Sequence, residues 1–243
     1  ISGEGKLELS SSLLVDNPSL DRDEYEKQLL ELDPLTRQRL MNGDWDAVPE
    51  GGMFKREWFA RNIIDERDLP KGLRWLRYWD RAATAVKQGN SPDYTCGVLI
   101  AFKAGVWYLR DMKRFRLNSE GNERRIKETA RADGGKTHIY MEQEPGSAGK
   151  DVISHYGRNV LPGFVFRGDK PTGSKVERAA PLASAAEQDN VKLVEGQWIG
   201  DFLDEVTAFP VGTHLDQVDA CTGGMSIINS RLRAVRAVNV ANL

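Results

Sequence analysis

Cysteine is nearly missing from this chain. Only Cys96 and Cys221 occur, and neither stands in a CxxC or Cys/His cluster, so no zinc site or disulfide framework is indicated and both read as small core fillers. Histidine is scarce too, with three residues, and only His214 has acids close by in sequence. No stretch approaches the roughly 20 apolar residues that a membrane span needs. The leading ISGEGKLELSSS has no basic region followed by an apolar segment, so a cytosolic protein is expected. A large charge excess is lacking as well: the formal net charge is −2, which argues against binding nucleic acid by bulk electrostatics and leaves that task to local basic runs. The first residue is Ile rather than Met, which suggests a piece of a longer polypeptide with another domain outside it.

The 243 residues, 40% hydrophobic and 29% charged, suffice for one large α/β domain and a short appendage. Residues 1–70 differ from the rest. They hold two short helical patterns, DRDEYEKQLLEL (21–32) and PLTRQRLMNG (34–43), then the turn-rich GDWDAVPEGGMF, a linker leading into a domain. From about residue 73 the runs LRWLRYWD (73–80), DYTCGVLIAF (93–102) and GVWYLRDMKRF (105–115) are rich in β-branched and aromatic residues, and KAG at 103–105 joins the last two as a tight hairpin. Then come a helix over 118–133, the strand THIYMEQ (137–143), a Gly-initiated helix over 146–159 and the strand GFVFRG (163–168). A helix over 174–188, which Pro181 should kink, precedes the strand VKLVEG (191–196), a helix over 198–209 and one beginning near His214. Three antiparallel strands followed by alternating helices and strands predict an α/β protein with a ribonuclease H-like mixed β-sheet flanked by helices on both faces.

Acids sit where this order leaves a sheet edge. Asp80 closes the first apolar strand and Glu142 another, and in HLDQVDA the residues Asp216 and Asp219 are three apart, sharing one face of a helix. Each alone reads as a turn former, a cap or a helix-dipole partner. Converging, they make an oxygen-rich site suited to Mg²⁺ or Mn²⁺. Such sites hydrolyse phosphodiesters with two ions roughly 4 Å apart. His214 is an accessory ligand, a general base or a helix-start polar residue. The stretch EPGSAGKD (144–151) is not a phosphate-binding loop, because Glu144 and Asp151 stand where that motif requires Gly and Ser or Thr. Its Lys150, with the helix N-terminus, could still meet a DNA phosphate. Lys170 and Lys175, in the loop 167–178, are further candidates for DNA contact. The scattered Trp residues read as core anchors.

The strings YWDRAAT (78–84), SPDYTCGVL (91–99), MEQEPGSAGKD (141–151), RGDKPTGSKVERAAPLASAAEQDNVKLVEG (167–196) and FLDEVTAFPVGTHLDQVDA (202–220) resemble the C-terminal nuclease domain of phage large terminases, over about residues 73–230. The leading segment is similar to the region joining the terminase ATPase motor to that domain. The resemblance implies domains at 1–70 (linker after an ATPase domain) and 71–243 (nuclease). It implies Asp80, Glu142 and an Asp of HLDQVDA as catalytic metal ligands, with Asp93, Glu144 and His214 accessory. The family string commonly reads HDDQVDA. Leu215 replaces the first acid here, so Asp216 is assigned first and Asp219 second. The activity implied is two-metal (Mg²⁺ or Mn²⁺) endonucleolytic cleavage of double-stranded concatemeric DNA in the host cytoplasm, with the ATPase domain, the small terminase subunit and the portal as partners. A ribonuclease H-like junction resolvase and a non-catalytic docking domain are the alternatives.

Overall fold

The computed structural model describes residues 52–82 and 93–241. The helical patterns over 21–32 and 34–43 lie outside the described residues. The compact unit bearing the sheet begins at Met53. Its strands are β1 (Ile63–Ile64), β2 (Leu76–Asp80), β3 (Thr95–Lys103), β4 (Val106–Phe115), β5 (His138–Glu142), β6 (Phe166–Asp169) and β7 (Val191–Val194). The helices are α1 (Arg56–Ala60), α2 (Ser119–Asp133), α3 (Gly146–His155, continued by a π turn over Tyr156–Val160), α4 (Lys175–Glu187), α5 (Ile199–Thr207) and α6 (Asp216–Ala241).

Among the described residues the strands form one sheet in the order β1–β7–β4–β3–β2–β5–β6. Only β3 runs against its neighbours β2 and β4, and every other pair is parallel. The hairpin between β3 and β4 is as tight as the sequence predicts. Lys103 pairs with Val106, and Ala104 and Gly105 both take positive φ, 51° and 85°, the two-residue turn whose twist suits paired strands. Helices cover both faces. On one, α1, α4, α5 and α6 bury Leu76, Tyr78, Val98, Ile100 and Tyr140. On the other, α2 and α3 with its π turn bury Trp79, Ile139 and Met141.

Local chemistry sets several boundaries. The Asn118 side chain accepts the Gly121 N–H at the start of α2, and Ser174 with Glu177 forms a reciprocal capping box at the start of α4. That helix runs on through Pro181 as one element. On the α2 face, Arg77 is buried and donates to Asp133 (2.7 Å), Asp111 (2.8 Å) and the Gly97 carbonyl (2.7 Å). The domain also reaches further upstream than the sequence patterns indicate. β1 pairs with β7, and Phe54 and Phe59 lie in the core, so residues from Met53 onward belong to this unit and not to a linker ending at residue 70. A two-residue strand is too short to show a period.

Candidate active site

Because β2, β5 and β6 are parallel, their C-terminal ends meet along one edge. Alternation puts Asp80 on the face of Leu76 and Tyr78, and Glu142 on the face of Tyr140, both toward α6. The register then sets the acids side by side, since Trp79 pairs with Met141 and Glu142 with Asp169. Tyr78 ties the row together by donating its hydroxyl to Asp169 (2.8 Å). Burial and the Asp169 carboxylate push that phenol far above its ordinary pKa, so it stays a donor.

Helix α6 adds two acids from above. It lies directly on the sheet because it is bare at the crossing: a Cβ on Gly223 would stand 2.3 Å from the Tyr78 ring, and one on Gly224 would stand 2.9 Å from Ile100. Its first turn is held by Glu205 of α5, which is buried and accepts the N–H groups of Gln217 (2.6 Å) and Val218 (3.2 Å) and the Gln217 side-chain amide (2.7 Å). Orphan donors at a helix start are thereby satisfied. Burial, opposed by these hydrogen bonds and aided by Asp216, pushes the Glu205 carboxyl up to about 7.

The result is a cavity of about 200 Å³ lined by Asp80, Asp93, Glu142, Glu144, Asp216 and Asp219. Burial raises the pKa of Asp80, and Glu142, Asp219 and Asp216 raise it further. Glu142 is raised by burial, against the pull of Arg178. Asp216 is raised by burial although it accepts the Tyr94 N–H (3.1 Å). Carboxylates that destabilise one another as anions form a set that a cation relieves. The donors are hard oxygens, so the residues fit Mg²⁺ or Mn²⁺. A larger groove of about 480 Å³ between β4 and α5 contains none of Asp80, Glu142 and Asp216; chemistry, not size, picks out the smaller one.

The structure brings most of the expected residues together. Asp80, Glu142, Asp216 and Asp219 share the cavity with Asp93 and Glu144. Asp219 differs in that both its oxygens are taken, by Lys175 (2.6 Å) and Arg178 (2.9 Å). Lys175, read from sequence as a DNA contact, is thus committed to an acid, whereas Lys150 and Lys170 are exposed outside the cavity lining. His214 Nε2 lies 2.8 Å from Arg116, a group that can only donate, so the ring proton is on Nδ1, 3.8 Å from Asp93. Oxygen and nitrogen ligand atoms of Asp93, His214 and Asp216 lie within 4.8 Å of one another. Beside them, Arg114 and Arg116 each stack 3.7 Å from the Tyr94 ring centre.

Sequence reading missed Asp169, Arg178, Arg81 and Glu205. Asp169 carries the same signal as Asp80 and Glu142, an acid closing an apolar strand. Arg178 is one helical turn from Lys175. Arg81, which meets Glu144 at 3.2 Å, and Glu205 have no local signal.

Several known proteins are similar. The sequence profile described as the terminase RNaseH-like domain matches residues 77–226. No curated protein sequence matches the chain. A human cytomegalovirus terminase nuclease domain, Mn soaked and inhibitor bound, aligns with a TM-score of 0.50 at 13% identity, over 72% of this chain and 94% of that one. The large terminase nuclease of thermophilic phage G20c gives 0.46 at 16% identity, over 65% and 84%. A full large terminase from another thermophilic bacteriophage gives 0.44 at 12% identity, over 80% of this chain but only 46% of that one, so the chain spans less than half of that protein's length. With its sheet order, its row of strand-end acids and a profile match running from Arg77 in β2 to Ser226 in α6, the chain belongs to the terminase RNaseH-like domain family.

Proposed function

We propose that this domain is a metal-dependent endonuclease that cleaves double-stranded concatemeric viral DNA during genome packaging. The convergence of Asp80, Glu142 and Asp216 in one cavity, each carboxyl raised in pKa by burial, carries this reading. Family membership supports it, as does the Mn soak of the cytomegalovirus domain that shares the fold.

Two Mg²⁺ or Mn²⁺ ions bound among these acids would activate water and offset the charge of the departing oxygen. The protein's own groups do the rest. Asp80, Glu142 and Asp216 supply ligand oxygens from three different elements, so the sheet and α6 fix their spacing. The Tyr94 N–H orients Asp216, and the Tyr78 hydroxyl holds Asp169 beside Glu142. Lys175, Arg178 and Arg81 place positive charge on the cavity wall where a phosphodiester would enter. Lys150 and Lys170, outside that wall, would meet phosphates further along the duplex. With so little net charge of its own, the domain depends on an ATPase motor domain of the same polypeptide to present DNA, and on the small terminase subunit and the portal, in the host cytoplasm. Among the described residues no helix is long and apolar enough to cross a membrane.

The test is conversion of supercoiled plasmid to nicked and linear forms with Mn²⁺, Mg²⁺ or EDTA. Metal-dependent cutting that is lost in Asp80→Ala and Asp216→Ala is the expected result. Cutting that persists in EDTA or in either variant would refute the assignment.

A further inference from the structure

Taking the metal-dependent reading above as given, we propose that the Lys175 ammonium is a resident counter-cation on the Asp219 side of the cleft. The free domain then takes up one divalent ion tightly and a second only when Lys175 withdraws.

Asp219 is buried, and its two oxygens are held separately, Oδ2 by Lys175 at 2.6 Å and Oδ1 by Arg178 at 2.9 Å. Both cations come from the first turns of α4, three residues apart and so on one face of that helix. Both line the cavity that holds Asp80, Glu142 and Asp216, and the Lys175 charge favours ionisation of all three. One ammonium therefore bonds to one acid of the cluster and acts on the rest, as a bound metal ion would.

The two cations are not equivalent. The Arg178 side chain is 18% exposed and fixed, whereas that of Lys175 is 56% exposed, a long stem reaching in from solvent that can swing out again. Charge balance points the same way. Six carboxylates and three cations line the cavity, leaving a formal excess of three negative charges. One divalent ion leaves a single negative charge, and a second overshoots unless a cation leaves or a phosphate arrives. A phosphodiester does both, since it brings negative charge and draws the ammonium off Asp219. The freed oxygen then faces the second ion while Arg178 keeps the other. Substrate and second ion would enter together.

The test counts Mn²⁺ by calorimetry and by the paramagnetic resonance of free Mn²⁺, on the whole chain without DNA. Wild type should take one tight ion. Lys175→Met, which keeps the apolar stem, should take two, or tighten a weak second ion at least tenfold. Lys175→Arg should behave as wild type, and adding Asp219→Asn to Lys175→Met should abolish the second ion. Identical counts and affinities in wild type and Lys175→Met would overturn the proposal, as would a second ion that survives Asp219→Asn. No Mn²⁺ bound by folded wild type, or binding indifferent to Asp80→Asn, would instead overturn the metal-dependent reading and the proposal with it.

Discussion

Replacing Gly223 by Ala should damage the active site more than it damages the fold. The new Cβ would stand 2.3 Å from Cε1 and Cζ of Tyr78 and 2.8 Å from its hydroxyl. Ordinary carbon contacts lie at about 3.5–4.0 Å, so α6 and the ring must part by more than about an ångström. The ring has nowhere to go, because it is fully buried and its hydroxyl is bonded to Asp169. Overpacking of this kind destabilises by about 1–3 kcal/mol, while exchanging Gly for Ala inside a helix returns about 1 kcal/mol. A net loss of about 1–2 kcal/mol lowers Tm by about 2–8 °C in a domain of this size. The effect on cleavage should be larger. Either α6 lifts, moving Asp216 and Asp219, or Tyr78 turns and releases Asp169, and a misplacement of about 1 Å reduces rate on the order of 100-fold. Thermal melting and Mn²⁺-dependent plasmid cutting measure both quantities. Gly200→Ala in α5, where an added Cβ meets nothing within 4 Å, is the control and should leave both unchanged. Should Gly223→Ala melt at the wild-type temperature and cut normally, the close crossing does not set the site.

Arg77→Met should cost about 3–5 kcal/mol in urea unfolding, since it strands Asp133 and Asp111 without their guanidinium. Arg77→Lys should recover little of that, because one ammonium cannot reproduce the three-way contact, and a loss under about 1 kcal/mol in Arg77→Met would contradict this account. In EDTA, stability should fall as pH rises from about 4.5 through about 7. The Glu205 carboxyl is raised from 4.5 to about 7 in the folded state, so it keeps a proton that the unfolded chain releases across that window. Glu205→Gln should flatten the slope by an amount on the order of 3 kcal/mol, and an unchanged urea midpoint profile would count against it. Saturating Mn²⁺ should raise Tm through preferential binding to the folded state, by about 2.7 kcal/mol at a hundredfold excess over Kd. This gain should be smaller at pH 5 than at pH 8, because protons compete for Asp80, Glu142 and Asp216, whose pKa values lie above the usual range, and absent in Asp80→Asn; a pH-independent gain would argue for binding elsewhere.

The sequence by itself determined the elements whose signal is local. β-branched and aromatic runs marked β2, β3 and β4, the KAG break marked their hairpin, and Asp80 and Glu142 showed as acids closing apolar strands. Burial of Cys96 and Cys221 followed from their isolation. What depended on distant partners was not legible. β1 exists only because β7 pairs with it, and Asp169 matters only because parallel pairing sets it beside Glu142. The pair Asp216 and Asp219 shows the boundary most clearly. Three residues apart on one helix face, they are equivalent by periodicity, and Leu215 in place of an acid does not separate them. Tertiary structure does, by crossing α4 against α6 so that Lys175 and Arg178 take both oxygens of Asp219, while the Tyr94 N–H reaches Asp216. Periodicity reports which face a side chain occupies; which charge it meets there depends on the packing of segments far apart in the chain.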